Sequence, residues 1–412
     1  MTETATSTAP AYPMARRCPL HPPAEYAEMR EREPVRQAVL PSGRPVWLVT
    51  RHHLARQVLT DPRISADRFH PGFPHLFRNV ASARQMSEQA RYSSSLIGRA
   101  FAVDGPEHVA RKRLVVPDFT VRRVQELRPG VQRVVDDCLD RMLAGDNPTD
   151  LVQALSLPVP SQVISELLAV PLEDRPFFLD RTRVMVDHAS TVEQRRQANL
   201  DVLGKLDALV TAREAEPGED LLSKLVRRNA EAGTLEHDEV VGMAAFLLIS
   251  GFETTANMIS MGTIGLLENP DQLALLREDP ARAAGAVEEL LRYFSVSDPA
   301  GSRVALEDVA IGGTVIPAGS GVIALAGAAN WDERVFPEPE RLDITRDARA
   351  HLAFGHGAHQ CIGLHLARLE LEVVFGTLFR RVPTLRLTTP AEDLRYKEHA
   401  NIYGVFEVPV AW

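Results

Sequence analysis

The first clear pattern along the chain is RPVWLVT, Arg44 to Thr50, an apolar, β-branched run that predicts a strand. A helix is expected directly after it, from His52 to Thr60. Residues 62–100 lose periodicity, broken by Pro71, Gly72, Pro74 and the serines at 93–95. That stretch reads as either a disordered insert or a functional loop. From Pro106 to Arg228 the spacing is mainly helical, punctuated by proline and glycine. VQRVVDDCLDRMLAG places apolar residues at helical intervals and ends on Gly145, a candidate C-cap. The longest predicted helix runs from His237 to Leu267 and, at about 1.5 Å per residue, extends roughly 45 Å. Another is expected over Pro280–Phe294.

The pattern then changes. VALEDVAIGGTVIPAGSGVIAL alternates, with Gly312 and Gly313 between two apolar runs, a hairpin signal. A last helix, Ile362 to Arg381, is apolar over much of its surface and should be buried. These elements predict a mainly α protein with a minor β portion. They form one large domain, residues 21–412, behind a disordered lead-in at 1–20.

Composition narrows the function. The 412 residues are 45% hydrophobic and 25% charged, as in ordinary globular chains. Lysine and arginine number 46 against 55 acidic residues, a net charge of −9, so the chain as a whole is not built for nucleic acid. The three cysteines, Cys18, Cys138 and Cys361, are scattered and odd in number. They argue against a disulfide framework and for a reducing compartment. The N-terminus carries no apolar segment of signal-peptide length. Val240–Phe252, the longest apolar run, is too short to span a bilayer and meets Glu253, so it reads as a buried helix rather than a membrane anchor. A cytoplasmic location is the expectation.

FGHGAHQCIG, Phe354 to Gly363, concentrates the candidate chemistry. Cys361 lies at the start of the last helix, where a helix N-terminus lowers a thiol pKa. Gly355, Gly357 and Gly363 let backbone N–H groups approach a sulfur anion. Three readings stay open on these residues alone. One is an inert buried cysteine. Another is zinc held by His356, His359 and Cys361, for which no second ligand pair appears nearby. The third is an axial thiolate on heme iron.

The spacing Phe354-Gly355-x-Gly357-x-His359-x-Cys361-x-Gly363 resembles the heme-binding signature of the cytochrome P450 family. Further stretches resemble that family in order, from about residue 45 to the end. Glu289-Leu290-Leu291-Arg292 pairs a glutamate and an arginine on one helix face. In the family such a pair is buried near heme and joined by a later arginine, here matched to Arg341. Ser250-Gly251-Phe252-Glu253-Thr254-Thr255 resembles the oxygen-activation motif, with serine where alanine is commoner. The resemblance implies that Thr254 steadies oxygen, Glu253 relays protons and Gly251 leaves room for dioxygen. GPEHVARKRL brings His108 and Lys112 to one helix face toward the heme propionates. Lys112 stands where arginine is usual, and Arg113 is an alternative contact. Arg303 and His359 match other propionate contacts. Trp331 replaces an arginine usual in AANWDERVF.

The implied cofactor is heme b, and the implied activity is a monooxygenase inserting one oxygen atom of O2 into a lipophilic small molecule. Hydroxylation or epoxidation in natural-product metabolism is the expected reaction. The chain shows no Rossmann glycine motif and no cysteine cluster for an iron–sulfur centre. A ferredoxin and its NAD(P)H-dependent ferredoxin reductase are therefore the implied electron donors, acting on a monomer. Arg111, Lys112, Arg113, Arg122, Arg123, Arg128 and Arg133 form a candidate basic docking patch. By resemblance, substrate contacts fall on Phe73, Phe77, Leu96, Ile97, Ala244, Ala245, Leu248, Val296, Ile402 and Tyr403. Three rivals remain: a P450-fold enzyme that oxidises or couples without hydroxylating, a cysteine hydrolase built on Cys361, and a helical binding protein without catalysis.

Overall fold

The strand predicted over Arg44–Thr50 forms over Pro45–Val49 (β2), antiparallel to Val35–Val39 (β1), with Val46 opposite Ala38. The structure, a computed structural model, describes residues 9–76, 96–186, 190–398 and 402–412. The remaining strands are Ile64–Ser65 (β3), Thr149–Asp150 (β4), Ser302–Ala305 (β5), Val309–Ile311 (β6), Thr314–Ile316 (β7), Gly321–Ala324 (β8), Arg386–Leu387 (β9) and Pro409–Ala411 (β10). β1-β2-β8-β5-β3 form the main sheet, in which only β2 and β8 run parallel. β4-β10-β9 form a second sheet and β6-β7 a hairpin. Gly312 and Gly313 turn that hairpin with φ of +58° and +85°, the left-handed pair that a tight two-residue loop needs.

Helices make up most of the fold. After an N-terminal helix, Glu25–Arg32, they are His52–Thr60 (α1), Gly105–Val115 (α2), Arg128–Ala144 (α3), Pro158–Leu167 (α4), Arg175–Val186 (α5), Val192–Ala215 (α6) and Leu221–Ala232 (α7). His237–Leu267 (α8), Pro270–Glu278 (α9), Ala283–Phe294 (α10) and Leu364–Arg381 (α11) follow, with shorter helical turns between. α1 and α8 match their predicted bounds. The helix expected from Pro280 opens as a 3-10 turn, Pro280–Arg282, before α10. Gly145 caps α3 as expected, in an extended conformation of φ −92°, its N–H donating to Met142 O at 3.2 Å.

α8 is the axis of the molecule. It starts in a capping box made by Glu236 and Glu239 and packs on α4, α6, α10 and α11. Two glycines let the helices cross closely. A Cβ at Gly262 would lie 2.4 Å from Phe375 Cζ on α11, and one at Gly265 would lie 2.6 Å from Phe294 Cζ on α10. α8 is long and apolar enough to cross a membrane, yet Val240, Met243, Ile259, Met261 and Ile264 are buried inside the protein. It is a core helix, as its sequence suggested.

The lead-in expected to be disordered up to residue 20 is ordered in its described part. Tyr12 is buried and donates its N–H to Val39 O at 2.9 Å. Pro19 O accepts a 2.7 Å hydrogen bond from the Tyr403 hydroxyl. Burial of Tyr12 and the Arg16 guanidinium 3.8 Å over the Tyr403 ring hold this segment against the body of the protein.

Candidate active site

Cys361 sits in a turn between a 3-10 helix, Gly357–His359, and α11. The last helix begins at Leu364, two residues later than predicted, so Cys361 precedes it. The Cys361 N–H donates to Phe354 O at 2.9 Å, closing the loop. Gly355 and Gly357 have φ of +69° and +74°, which side chains rarely adopt. A Cβ at Gly357 would lie 2.8 Å from Leu59 O, so the loop docks on the end of α1 only because that residue is glycine. Phe354 packs under the Arg368 guanidinium at 4.8 Å.

Cys361 is exposed to solvent, yet protein crowds around its sulfur. Burial there pushes the free thiol above its ordinary value, while the Gly363 N–H, Lys112 and Arg368 pull it down. The lowering expected from the helix start alone is therefore outweighed by desolvation. A Cβ at Gly363 would stand 4.0 Å from Sγ. Neither neighbouring histidine is a base for this sulfur. His356 accepts from Arg56 Nε at 3.3 Å, and His359 Nε2 is 2.9 Å from Asp104 Oδ1. The cysteine-hydrolase reading loses its general base. Among the described residues His356, His359 and Cys361 do not converge as metal ligands, so the zinc reading fails too.

A positively charged cluster borders the loop. The His108 and His359 rings lie 4.0 Å apart, and Lys112 Nζ donates to Ala358 O at 2.8 Å. Arg113 is exposed, so Lys112 is the cation α2 turns toward the loop. Burial, with His359, Lys112 and Arg303 nearby, pushes His108 down to about 4 against the pull of Asp104. Arg303 is buried on β5, and desolvation lowers it to about 10, opposed by Asp104. Asp104 is the carboxylate within the cluster. Burial raises it, but His359, Ser65 and the Ala66 N–H outweigh that and hold it at about 2. Sequence reasoning missed Asp104, whose only local signal is its place before α2.

The residues fit heme on these observations. An accessible sulfur in a glycine-shaped loop suits an axial ligand. Beside it, His108, Lys112, His359 and Arg303 are imidazole and cationic donors, and the neighbours that push His108 down would be offset by added negative charge, which two propionates supply.

α8 presents the other functional motif. Ser250 is exposed and Thr254 half-exposed on a helix that is otherwise largely buried. Ser250 Oγ donates to Phe246 O at 2.6 Å, and Thr254 Oγ1 to Ser250 O at 3.1 Å. The Glu253 carboxyl is pushed up by burial and pulled down by Lys397. The Cβ position of Gly251 faces Ile164 on α4 at 3.4 Å, an ordinary contact distance.

Glu289 and Arg292 are fully buried and joined by two bonds, of 2.7 and 2.8 Å. Arg292 also donates to Asn330 O and Pro339 O. The third member is Arg346, with Nε 3.3 Å from Glu289 Oε1, not Arg341. Arg341 points outward toward Glu338, its side chain 58% exposed, because the turn through Pro337–Asp343 carries only its carbonyl inward. Trp331 fills this region, donating Nε1–H to Tyr293 O at 3.0 Å and packing against His21.

The substrate contacts expected by resemblance scatter. Leu96 backbone lies 2.9 Å from the Cβ position of Gly242 on α8, and Ile97 packs on the same core. Ala244, Ala245 and Val296 are buried, and Ile402 is half-buried. Phe73 is buried beside His75. Leu248 packs with Ile164, Phe178 and Phe252 between helices, within the core. Tyr403 is committed to Pro19, Arg16 and a stacked Tyr396, so it is not a free substrate contact. Phe77 lies outside the described residues. The basic patch is also thinner than its sequence. Arg111 is buried between Glu107 and Glu239, Arg122 and Arg123 meet Glu126, and Arg128 meets Glu372. Arg113 and Arg133 remain exposed there.

The Cytochrome P450 family model matches residues 182–391. Cytochrome P450 105A3 of Streptomyces carbophilus is 45% identical, covering 100% of this chain and 99% of the relative. Vitamin D3 dihydroxylase of Streptomyces griseolus is 44% identical over 100% of both chains. The crystal structure of cytochrome P450 MoxA from Nonomuraea recticatena superposes with a TM-score of 0.90 at 49% identity, covering 97% of this chain and 98% of that one.

Proposed function

The chain belongs to the cytochrome P450 family, and from that membership we propose that it hydroxylates or epoxidises a lipophilic natural product with electrons from a ferredoxin. It is a heme b monooxygenase that incorporates an atom of O2. Heme, when bound, supplies the site where O2 is activated by electron donation from a thiolate. The residues of this chain do the rest. Cys361 holds the metal, and the glycine loop fixes its sulfur. His108, Lys112, Arg303 and His359 anchor the propionates, and Phe354, Gly355 and Gly363 shape the cradle. Glu289, Arg292 and Arg346 brace the turn below.

On α8, the half-exposed Thr254 hydrogen-bonds the helix backbone and would steady oxygen with its hydroxyl, while the Glu253 carboxyl beside it would relay protons. The observation that carries the reading is the cysteine loop itself: an accessible Cys361 beside a cluster of four nitrogen donors, in the turn that leads into α11, the helix packed against α8.

The substrate class rests on the apolar candidates Leu96, Ile97, Ala244, Ala245, Val296 and Ile402, and on relatives named for lipophilic substrates such as vitamin D3. A ferredoxin donor is supported by the absence of a second redox motif in the sequence. The location proposed is the cytoplasm. The test is a screen of lipophilic compounds for substrate-induced Soret shifts, followed by turnover under isotopically labelled dioxygen. One labelled oxygen in the product supports the reading. An oxidised or coupled product without label favours the non-hydroxylating alternative.

A further inference from the structure

We propose that Lys397 is a positioning residue for proton delivery, a cation held by Asn257 one helical turn from Glu253 that balances the charge of the Glu253 carboxylate. This rests on the monooxygenase reading and extends it to a residue outside every motif above.

The geometry starts at Asn257, one helical turn beyond Glu253. Asn257 is 3% exposed, and its Nδ2 donates to Glu253 O at 2.9 Å. That bond fixes which way the amide points. Its Oδ1 then accepts from Lys397 Nζ at 3.1 Å. The hairpin carrying the lysine is seated tightly. Lys397 N–H donates to Gly404 O at 2.8 Å, and Tyr396 bridges Val405. A Cβ at Gly404 would fall 1.9 Å from Asn257 Oδ1, so only glycine lets the strand approach α8 this closely. The lysine ammonium also lies 5.9 Å from the Phe406 ring centre.

A hydrogen bond to an asparagine needs no charge, since glutamine would serve. The charge has a second recipient. The Glu253 carboxyl is raised by burial, and Lys397 is the charged group opposing that rise. Among the described residues no other charged side chain, on α4, α6, α10, α11 or any further element packed on α8, acts on Glu253. A proton passed from the Glu253 carboxyl to the Thr254 hydroxyl sends that hydroxyl's own proton onward to the oxygen that leaves as water, and solvent reprotonates the carboxylate, whose charge Lys397 balances meanwhile. Two protons are needed per turnover, because one atom of O2 is released as water, and neither Glu253 nor Thr254 changes its final state. Lys397 thus acts through Glu253, not on the reacting atoms.

Lys397→Gln separates charge from clamp because it keeps a donor for Asn257. The infrared carboxyl band of Glu253, identified by its loss in Glu253→Gln, is titrated in wild type, Lys397→Gln and Lys397→Arg. Lys397→Gln is expected to move the midpoint to higher pH. The pH profile of coupled product formation should move with it, with about a tenfold loss at neutral pH, part of the ~10²–10⁴ a proton-transfer group contributes. Lys397→Arg should restore both. An unchanged midpoint in Lys397→Gln overturns the proposal. If Lys397→Gln does not fold, Gly404→Ala, which displaces the hairpin, must raise the midpoint or the proposal falls. The infrared titration does not require heme. Absence of a thiolate spectrum in wild type would therefore refute the monooxygenase reading while this titration still decides the Lys397–Glu253 pair.

Discussion

Arg346 Nε lies 3.3 Å from Glu289 Oε1, completing a buried carboxylate–guanidinium network below the cysteine loop. Glu289 also accepts from the Asp343 N–H at 3.0 Å, so one carboxylate gathers α10 and the following turn. Removing Arg346 leaves a fully buried carboxylate short of a partner. Arg346→Ala should cost about 2–3 kcal/mol. Arg341→Ala, an exposed pair lost, should cost under about 0.5 kcal/mol. Urea unfolding of the two variants checks the contrast, and equal losses would reverse the assignment.

Lys112, not Arg113, faces the cysteine loop. Lys112→Met should speed heme transfer to apomyoglobin about tenfold, the equivalent of one charge-assisted hydrogen bond of roughly 1.4 kcal/mol. Arg113→Ala should leave the transfer rate unchanged.

Thr254 places its hydroxyl on α8 with Ser250 O as acceptor. Thr254→Ala should retain heme and its thiolate spectrum but release reducing equivalents as hydrogen peroxide. Product formed per NAD(P)H should fall about tenfold or more. Peroxide and product assayed together check this, and unchanged coupling would remove Thr254 from proton delivery.

Asp104 is held at about 2 in the fold by His359, Ser65 and the Ala66 N–H, which outweigh its burial. Its unfolded value is near about 4. A depressed carboxylate contributes stability that is fully present above the unfolded value and is lost as pH falls through the folded one. Wild type should therefore lose stability between about pH 4 and pH 2 more steeply than Asp104→Asn. Urea midpoints measured across that range check the slope.

Much of this was legible in sequence, and the misses share a cause. α1 and α8 appeared with their bounds because helical periodicity is local. The Gly312-Gly313 hairpin appeared because a positive φ pair has a residue signature. Cys361, His108 and Lys112 could be named because their spacing within one loop or one helix is the signal, and the fold brings His108 and Lys112 beside the cysteine loop. Arg341 was chosen over Arg346 because which arginine turns inward depends on the path of the Pro337–Asp343 turn, and no pattern encodes that path. Asp104 and Lys397 reach the site across long chain separations, from a loop and a hairpin with ordinary local sequence. Residues 9–20 looked disordered by composition, yet Tyr12 gains burial that the body of the fold provides.

The central claim is that Cys361 is the axial thiolate of heme. The most direct measurement is the absorbance of reduced, CO-saturated protein, wild type beside Cys361→Ala. Wild type should give the red-shifted Soret band of a thiolate-ligated heme, and the variant should lose it. The same band in Cys361→Ala, or colourless wild type after heme is supplied, would contradict the account.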